Sequence, residues 1–548
     1  IRAIMIGLKN GKETGNVCGE VWFNELRLAE LDNKGGWAAI AAVDGNLADF
    51  ANFSATGSYS SIGFGAIDQI PNERSRENNF QYAMNTNVNL GQLLPKAWGI
   101  QLPLNYSVSE QLITPEFDPI YQDLKLKDRI DAAETSAEKE QTRRQAEDYT
   151  KRRSINLIGV RKERGPEQKP RVYDIENFTF NYAYNQTDHR DFEIDELTDQ
   201  NVRVGATYAY NFAPVNIEPF KKNDSLFTGR YWQWLKELNF NPLPTSLQVN
   251  SNISRIFNQQ RFREVFTGTG DTENIPLPVL QQRNFLFDWQ YAINHNITKS
   301  LRFNFTASNN NIIRNYFTQD ESGEQIINTD LGLWDGFWDI GEPNRHATQL
   351  QVNYELPINK IPTFSFVNAS YAYTGNFDWQ RGGEALAEIA GEPLNTIQNA
   401  RTHNLNVSLS MDRLYRYLGL EKKTGRPGQN KNTAIPRPGE QGKTNAAPKK
   451  TGKLANTLID IATMVKRINV NYTQNSGKVL PGYTEDIGFI GTLKPSWGFV
   501  FGSQADVRFD AARRGWLTTF DEFNQQYQAR DATILDISAN AEPLPDFT

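Results

Sequence analysis

The chain reads as an all-β protein, a transmembrane antiparallel β-barrel or a portion of a very large one, with long loops and a little helix confined to those loops. Three observations lead there. Apolar and polar residues alternate through segment after segment, and a period of two means strands with one apolar and one polar face. The alternating segments run about 9 to 11 residues, the length a tilted strand needs to cross a bilayer, whereas soluble strands have a mode of about 5 to 6. The connections are short on one side and long on the other, as in outer-membrane barrels.

Taken in order, strands are expected at 37–46, 50–60, 80–90, 100–108, 153–161, 176–185, 201–212, 246–256, 284–294, 300–308, 346–356, 363–373, 402–411, 466–474, 497–508 and 533–541, about sixteen in all. In 177–186, Phe178, Phe180, Tyr182 and Tyr184 fall on one face and Thr179, Asn181, Ala183 and Asn185 on the other. In 202–212, Val202, Val204, Tyr208, Tyr210 and Phe212 alternate with Arg203, Gly205, Thr207, Ala209 and Asn211. The beat returns in Phe285, Phe287, Trp289 and Tyr291; in Leu301, Phe303 and Phe305; in Leu350, Val352 and Tyr354; in Leu405, Val407 and Leu409; and in Ile468, Val470 and Tyr472. Between Phe366 and Val367 the apolar phase slips, which predicts a β-bulge.

The apolar faces are heavy in Phe, Tyr and Leu, and Phe180, Tyr182, Tyr208, Tyr210, Phe287, Trp289, Phe303, Val352, Val407 and Val470 are the candidates for facing lipid. The polar faces are mostly Asn, Ser, Thr, Gln and Gly, a set suited to a water-filled lumen. Asn181, Arg203, Asn250, Asn304, Asn353, Asn406 and Asn471 are the candidates for lining it, although alternation alone would also put them there.

Turn lengths set the orientation. The connections 47–49, 91–99, 295–299 and 357–362 are short, whereas 61–79, 109–152, 257–283, 309–345 and 374–401 are long and should be extracellular. Two connections on the short, periplasmic side break this rule, 213–245 and 412–465, and are the places to seek a plug or a partner contact. Within the connections, 132–153 is rich in helix formers and predicts a solvated helix. The segment 422–450 is rich in Pro, Gly, Asn and Lys and predicts a disordered linker. Tyr231, Trp232 and Trp234, just before a strand, predict an interfacial aromatic belt.

Composition agrees with a barrel. Hydrophobic residues make up 39% of the 548 and the mean hydropathy is -0.60, low values that a barrel tolerates because only alternate strand residues meet lipid. No apolar run approaches the roughly 18 residues of a membrane helix, 37–43 being about the longest. No signal peptide opens the chain, so either the mature protein starts at Ile1 or this is an excised piece of a longer chain. The single cysteine, Cys18, allows no disulfide within the chain. His189, His295, His346 and His403 have no ligand-like spacing, so no metal is expected. A net charge of -6 makes no case for nucleic acid. No nucleophile elbow, zinc-protease motif or P-loop occurs, and carboxylate pairs such as Asp521 and Glu522 lie in ordinary loops; neither an enzyme nor a cofactor is expected.

Several stretches carry a family resemblance: VWFNELRL at 21–28 with GGWAA at 35–39, ELNFNPLPTSL at 237–247, RIFNQQRFRE at 255–264 and GKVLPGYTEDIGFIG at 477–491. They resemble the SprA/Sov family, the outer-membrane translocon of the type IX secretion system in Bacteroidota. The resemblance implies an internal part of a longer protein, with 1–36 as the end of a preceding β-rich module and 37–548 as the barrel portion. It further implies a conduit for folded secreted cargo proteins, a PorV-type shuttle barrel and a periplasmic plug protein as partners, and energy supplied from elsewhere. Two alternatives stay open: an outer-membrane importer or lipopolysaccharide-type export barrel, and a soluble β-sandwich surface adhesin.

Overall fold

The computed structural model describes residues 35–70, 73–221, 229, 231–263, 277–314, 317–319, 325–328, 331–420 and 461–542, with scattered residues between 6 and 23. Most of the expected N-terminal module and the whole of 422–450 lie outside the described residues.

Among the described residues there are eighteen strands: β1 (Ala38–Leu47), β2 (Ala51–Ser60), β3 (Glu77–Asn89), β4 (Ile100–Gln101), β5 (Pro103–Pro115), β6 (Asp148–Lys162), β7 (Phe178–Arg190), β8 (Ile194–Asn211), β9 (Ser246–Phe262), β10 (Leu280–Asn296), β11 (Leu301–Ile312), β12 (Phe317–Gln319), β13 (Gln325–Ile327), β14 (Glu342–Leu356), β15 (Val367–Gln380), β16 (Asn395–Ser410), β17 (Val465–Tyr483) and β18 (Gln528–Ala541). Sixteen of them form one antiparallel sheet in which each long strand lies beside the next long strand in sequence, β4 pairing with β6; β12 and β13 make a separate hairpin. The chain divides into two compact units, one of 1–207, 251–287 and 312–341, the other of 208–250, 288–311 and 342–548.

The strands outrun the expectation. β8 has 18 residues and β17 has 19, and both extend toward the long-connection side. The extensions carry no apolar alternation because charge pairs and loop packing stabilise them: Arg261 of β9 reaches Asp195 of β8 at 2.9 Å. A tight turn joins β7 to β8, where Asp191 accepts from the amides of Glu193 (2.8 Å) and Ile194 (2.6 Å), as an aspartate does when it initiates a turn.

Three expectations are corrected. The strand at 497–508 is instead a helical turn (Trp497–Val500) and the start of a short helix (Arg508–Arg513). Ser496 caps the turn by accepting from the Phe499 amide at 3.1 Å, and the apolar run there packs Phe499 and Val500 inward without alternating. The slip at Phe366 marks the start of β15 at Val367, preceded by a 3-10 turn at Pro362–Phe364, not a bulge inside a strand. A bulge does occur at Gly159 in β6, where φ is +81° and the amide donates to Asn181 Oδ1 at 2.8 Å. The helix expected over 132–153 is shorter, α2 (Ser136–Ala146), preceded by α1 (Leu126–Ala132) and followed by β6. Thr135 and Glu138 close a capping box at the start of α2.

Each unit has its own core, and both cores are loops folded against strand ends. In the first, Val202, Phe257 and Phe285 pack with Ile313 and Leu333 of the connection after β11. Arg255 is fully buried there, with its guanidinium over the Phe285 ring (4.6 Å) and donating to the carbonyls of Asp335 (2.7 Å) and Gly336. In the second, Phe377, Trp379, Ile397, Leu480 and Tyr483 pack with Ile487, Phe499, Val500, Val507 and Ala511 from the connection 484–527.

Candidate functional site: the two faces of the sheet

Register, rather than any cluster of reactive groups, defines the candidate site. In the second unit, Ala369, Val407, Val470 and Ile537 stand opposite one another across β15 to β18, and Tyr371, Leu405, Tyr472 and Leu535 form the next row. Val352 of β14 faces Tyr373 on the same side. None of these side chains is buried, and Leu535 and Ile537 are 59% and 61% exposed. The intervening rows are polar: Ser370, Asn406, Asn471 and Asp536, then Asn368, Ser408, Asn469 and Ser538. Ser408 donates to Asn469 at 2.9 Å.

The first unit repeats the arrangement. Val88, Leu104, Leu157 and Tyr182 form one apolar row and Thr86, Tyr106, Ile155 and Tyr184 the next. On the opposite face Asn52, Asn87, Asn105 and Asn156 stand in register. Their amides link across strands, Asn87 to Asn52 at 2.8 Å, Asn105 to Asn87 at 2.7 Å and Asn156 to Asn105 at 3.2 Å. An amide both donates and accepts, so a row of them satisfies itself and still offers groups to water.

The open apolar rows occupy only the half of the sheet nearer the short turns. Farther out on the same face of the first unit come Tyr82, Glu110, Lys151 and Asp188, with Lys151 and Glu110 paired at 2.5 Å. In the second unit Gly375, Arg401, Ser476 and Asp531 follow. At about 3.3 Å per residue β17 spans roughly 60 Å, over twice the about 25 Å height of an outer-membrane apolar band.

The sequence-derived candidates distribute as follows. Asn353, Asn406 and Asn471 are exposed on the polar face, and Val352, Val407 and Val470 lie on the other. Asn181 accepts from the Gly159 amide; Arg203 is exposed on the face opposite buried Val202; Asn250 and Asn304 are half-buried. Phe180 is 47% exposed, and Tyr182, Tyr208, Tyr210 and Phe303 are half-buried. Phe287 and Trp289 are buried, at 8% each, so the expectation that they face lipid is corrected: the Phe489 ring stacks on Trp289 at 4.8 Å. Sequence reasoning missed Asn52, Asn87, Asn105, Asn156 and Asn469; alternation marks each as polar, but only register shows that they form rows.

The described parts of the connection on the short-turn side, 212–221 and 231–245, lie over the polar face of the second unit. One arm is fastened by backbone and buried amides. Asn239 accepts from the Lys299 amide at 3.0 Å, the Asn241 amide donates to the Ile297 carbonyl at 2.8 Å, and the Thr245 amide to the Asn294 carbonyl at 2.7 Å. The other arm pairs with this one through the backbones of Ile217 and Phe240, at 2.9 Å in each direction, and ion pairs add to both arms, Lys299 to Glu218 at 3.2 Å and Lys360 to Glu237. Under this strap lies a cavity of about 1130 Å³ whose floor includes Asn406, Ser408, Asn469 and Asn471, and which Trp234 also lines. Trp234 is thereby placed on the polar-face side, away from the interfacial belt expected for it, while Tyr231 and Trp232 are exposed.

Hydrogen bonds from Lys221 and Lys299 hold the Glu218 carboxyl below its ordinary range. The tether is therefore complete above the unfolded glutamate value of about 4.3 and is lost as pH falls through the lower folded value. Limited proteolysis should cut 212–245 faster in acid and at high salt, and Asn239→Ala should accelerate cutting at neutral pH as well. Unchanged cleavage of the parent chain on acidification would refute the tether.

No curated protein matches the chain. Residues 1–130 match the SprA_N family model, described as motility related/secretion protein, and this match supports membership of the SprA/Sov family.

Proposed function

We propose that the sheet is part of the wall of an outer-membrane β-barrel whose Asn/Ser face lines a protein-conducting channel, passing folded secreted proteins to the cell surface. The observation that carries this reading is an open apolar band backed by a face of amides and hydroxyls, linked across strands in the first unit, in a single-layer sheet. In water such a band would demand a second layer. Against lipid it needs none, and a closed antiparallel sheet is one of the two ways a backbone can span hydrocarbon. Folded cargo needs a wide opening, and diameter grows with strand number, which sixteen strands of simple meander already favour. Neutral amides hydrogen-bond passing surfaces without holding them by charge.

The wall in this reading is a passive conduit in the outer membrane of a Gram-negative bacterium, with lipid around it and a shuttle barrel and a periplasmic plug as partners. The soluble adhesin reading requires a cover over the apolar rows near the short turns; in the second unit the rows from Ala369 to Ile537 and from Tyr371 to Leu535 hold no buried side chain. Depletion in the host separates the channel from an importer. Folded secreted proteins should accumulate in the periplasm while nutrient uptake stays normal; normal secretion with lost uptake would favour the importer.

A further inference from the structure

The connection 484–527 covers the outer part of the apolar face in the second unit, yet its own tip is apolar and open. Phe489, Ile490, Leu493 and Trp497 are 55%, 72%, 47% and 67% exposed. These side chains do not belong to a loose loop. Asn309 donates to the Phe489 carbonyl at 2.8 Å and the Tyr291 hydroxyl to the Ile490 carbonyl at 3.3 Å. The Gly491 amide closes the turn on the Gly488 carbonyl at 2.9 Å. Gly491 has φ of +113°, and a Cβ there would come within 2.6 Å of the His346 ring, so a glycine is needed for the turn to lie this close to the sheet. Below, Trp497 meets Phe501 edge-on at 5.8 Å and Phe501 meets Phe305 at 6.2 Å.

The position of this tip is informative. The Tyr373 hydroxyl donates to the Phe501 carbonyl, and Tyr373 is the next residue on its face beyond Tyr371, which belongs to the open apolar rows. The exposed tip therefore continues the apolar band at its outer rim. A single edge of aromatic side chains between an apolar band and a charged region is the arrangement found where hydrocarbon gives way to headgroups. Lys494, set among them with its ammonium turned to Glu485 and the Trp516 ring, has the amphipathic chemistry of that boundary.

We infer that the turn 488–497 is a lipid-interface anchor: Phe489, Ile490, Leu493 and Trp497 enter the outer-leaflet boundary and fix how far the sheet stands out of the bilayer. The inference rests on the proposed reading that the apolar face meets lipid. The test uses purified protein in nanodiscs, with Cys18→Ser as background and a bimane label on Ile490→Cys, Val470→Cys or Asn471→Cys. The lipids carry a nitroxide either near the headgroup or deep in the chain. Label at 490 should lose most of its fluorescence to the shallow nitroxide and label at 470 to the deep one, while label at 471 keeps its signal. Quenching at 470 without quenching at 490 would overturn the anchor and leave the barrel standing. Quenching at neither would overturn both. Ile490 is largely exposed, so its replacement leaves the packed turn intact.

Discussion

Val470→Lys should abolish membrane assembly, and Asn471→Lys, one residue away, should assemble and fold normally. Val470 stands between Val407 and Ile537 in the open apolar row, whereas Asn471 stands between Asn406 and Asp536 on the other face. A lysine on a lipid-facing strand position costs about 2–4 kcal/mol near the midplane and little on a water-facing one. Heat-modifiable migration and protease resistance of the membrane fraction measure the difference. Equal tolerance at both positions would remove the physical basis for a barrel.

Trp379→Ala is expected to release the connection 484–527 while leaving the strands paired. Trp379 is fully buried at the centre of the second core, and its indole donates to the Glu485 carbonyl at 3.1 Å. Removing a buried tryptophan costs about 3–5 kcal/mol in lost burial and cavity formation. Because the lost contacts belong to a loop docked on strand ends, the effect should appear first as local opening. Amide exchange in 484–527 should rise by orders of magnitude with little change in β17. Uniform acceleration through the sheet would mean that the loop is integral to strand pairing.

How much was legible in the sequence follows from which force set each feature. Alternation located β1 at 37–46 against Ala38–Leu47 and β14 at 346–356 against Glu342–Leu356, because near the short turns each strand has one apolar and one polar face. It failed at the outer ends, where Ile194 to Gln200 extend β8 through charge pairs that leave no period of two. It failed at 497–508 because Phe499 and Val500 are apolar for the sake of a helical turn packed on Phe377. Trp289 alternates perfectly and is still covered, since the partner that covers it lies 200 residues away at Phe489. The excess length of 213–245 was visible; that its described parts lie over a cavity floored by Asn406 and Asn471 rests on contacts between residues as distant as Asn239 and Lys299 or Glu237 and Lys360.

The order of the sheet carries a consequence for its history. Every long strand lies beside its predecessor, so adding or removing one hairpin changes the width without altering the connection of any other strand. Closing each new pair requires only a local loop, whose entropic cost rises slowly with length. A topology with crossovers would have to be rewired to grow. This one can be lengthened by duplication of a two-strand unit, which makes the width of the sheet a quantity that selection can adjust in small steps.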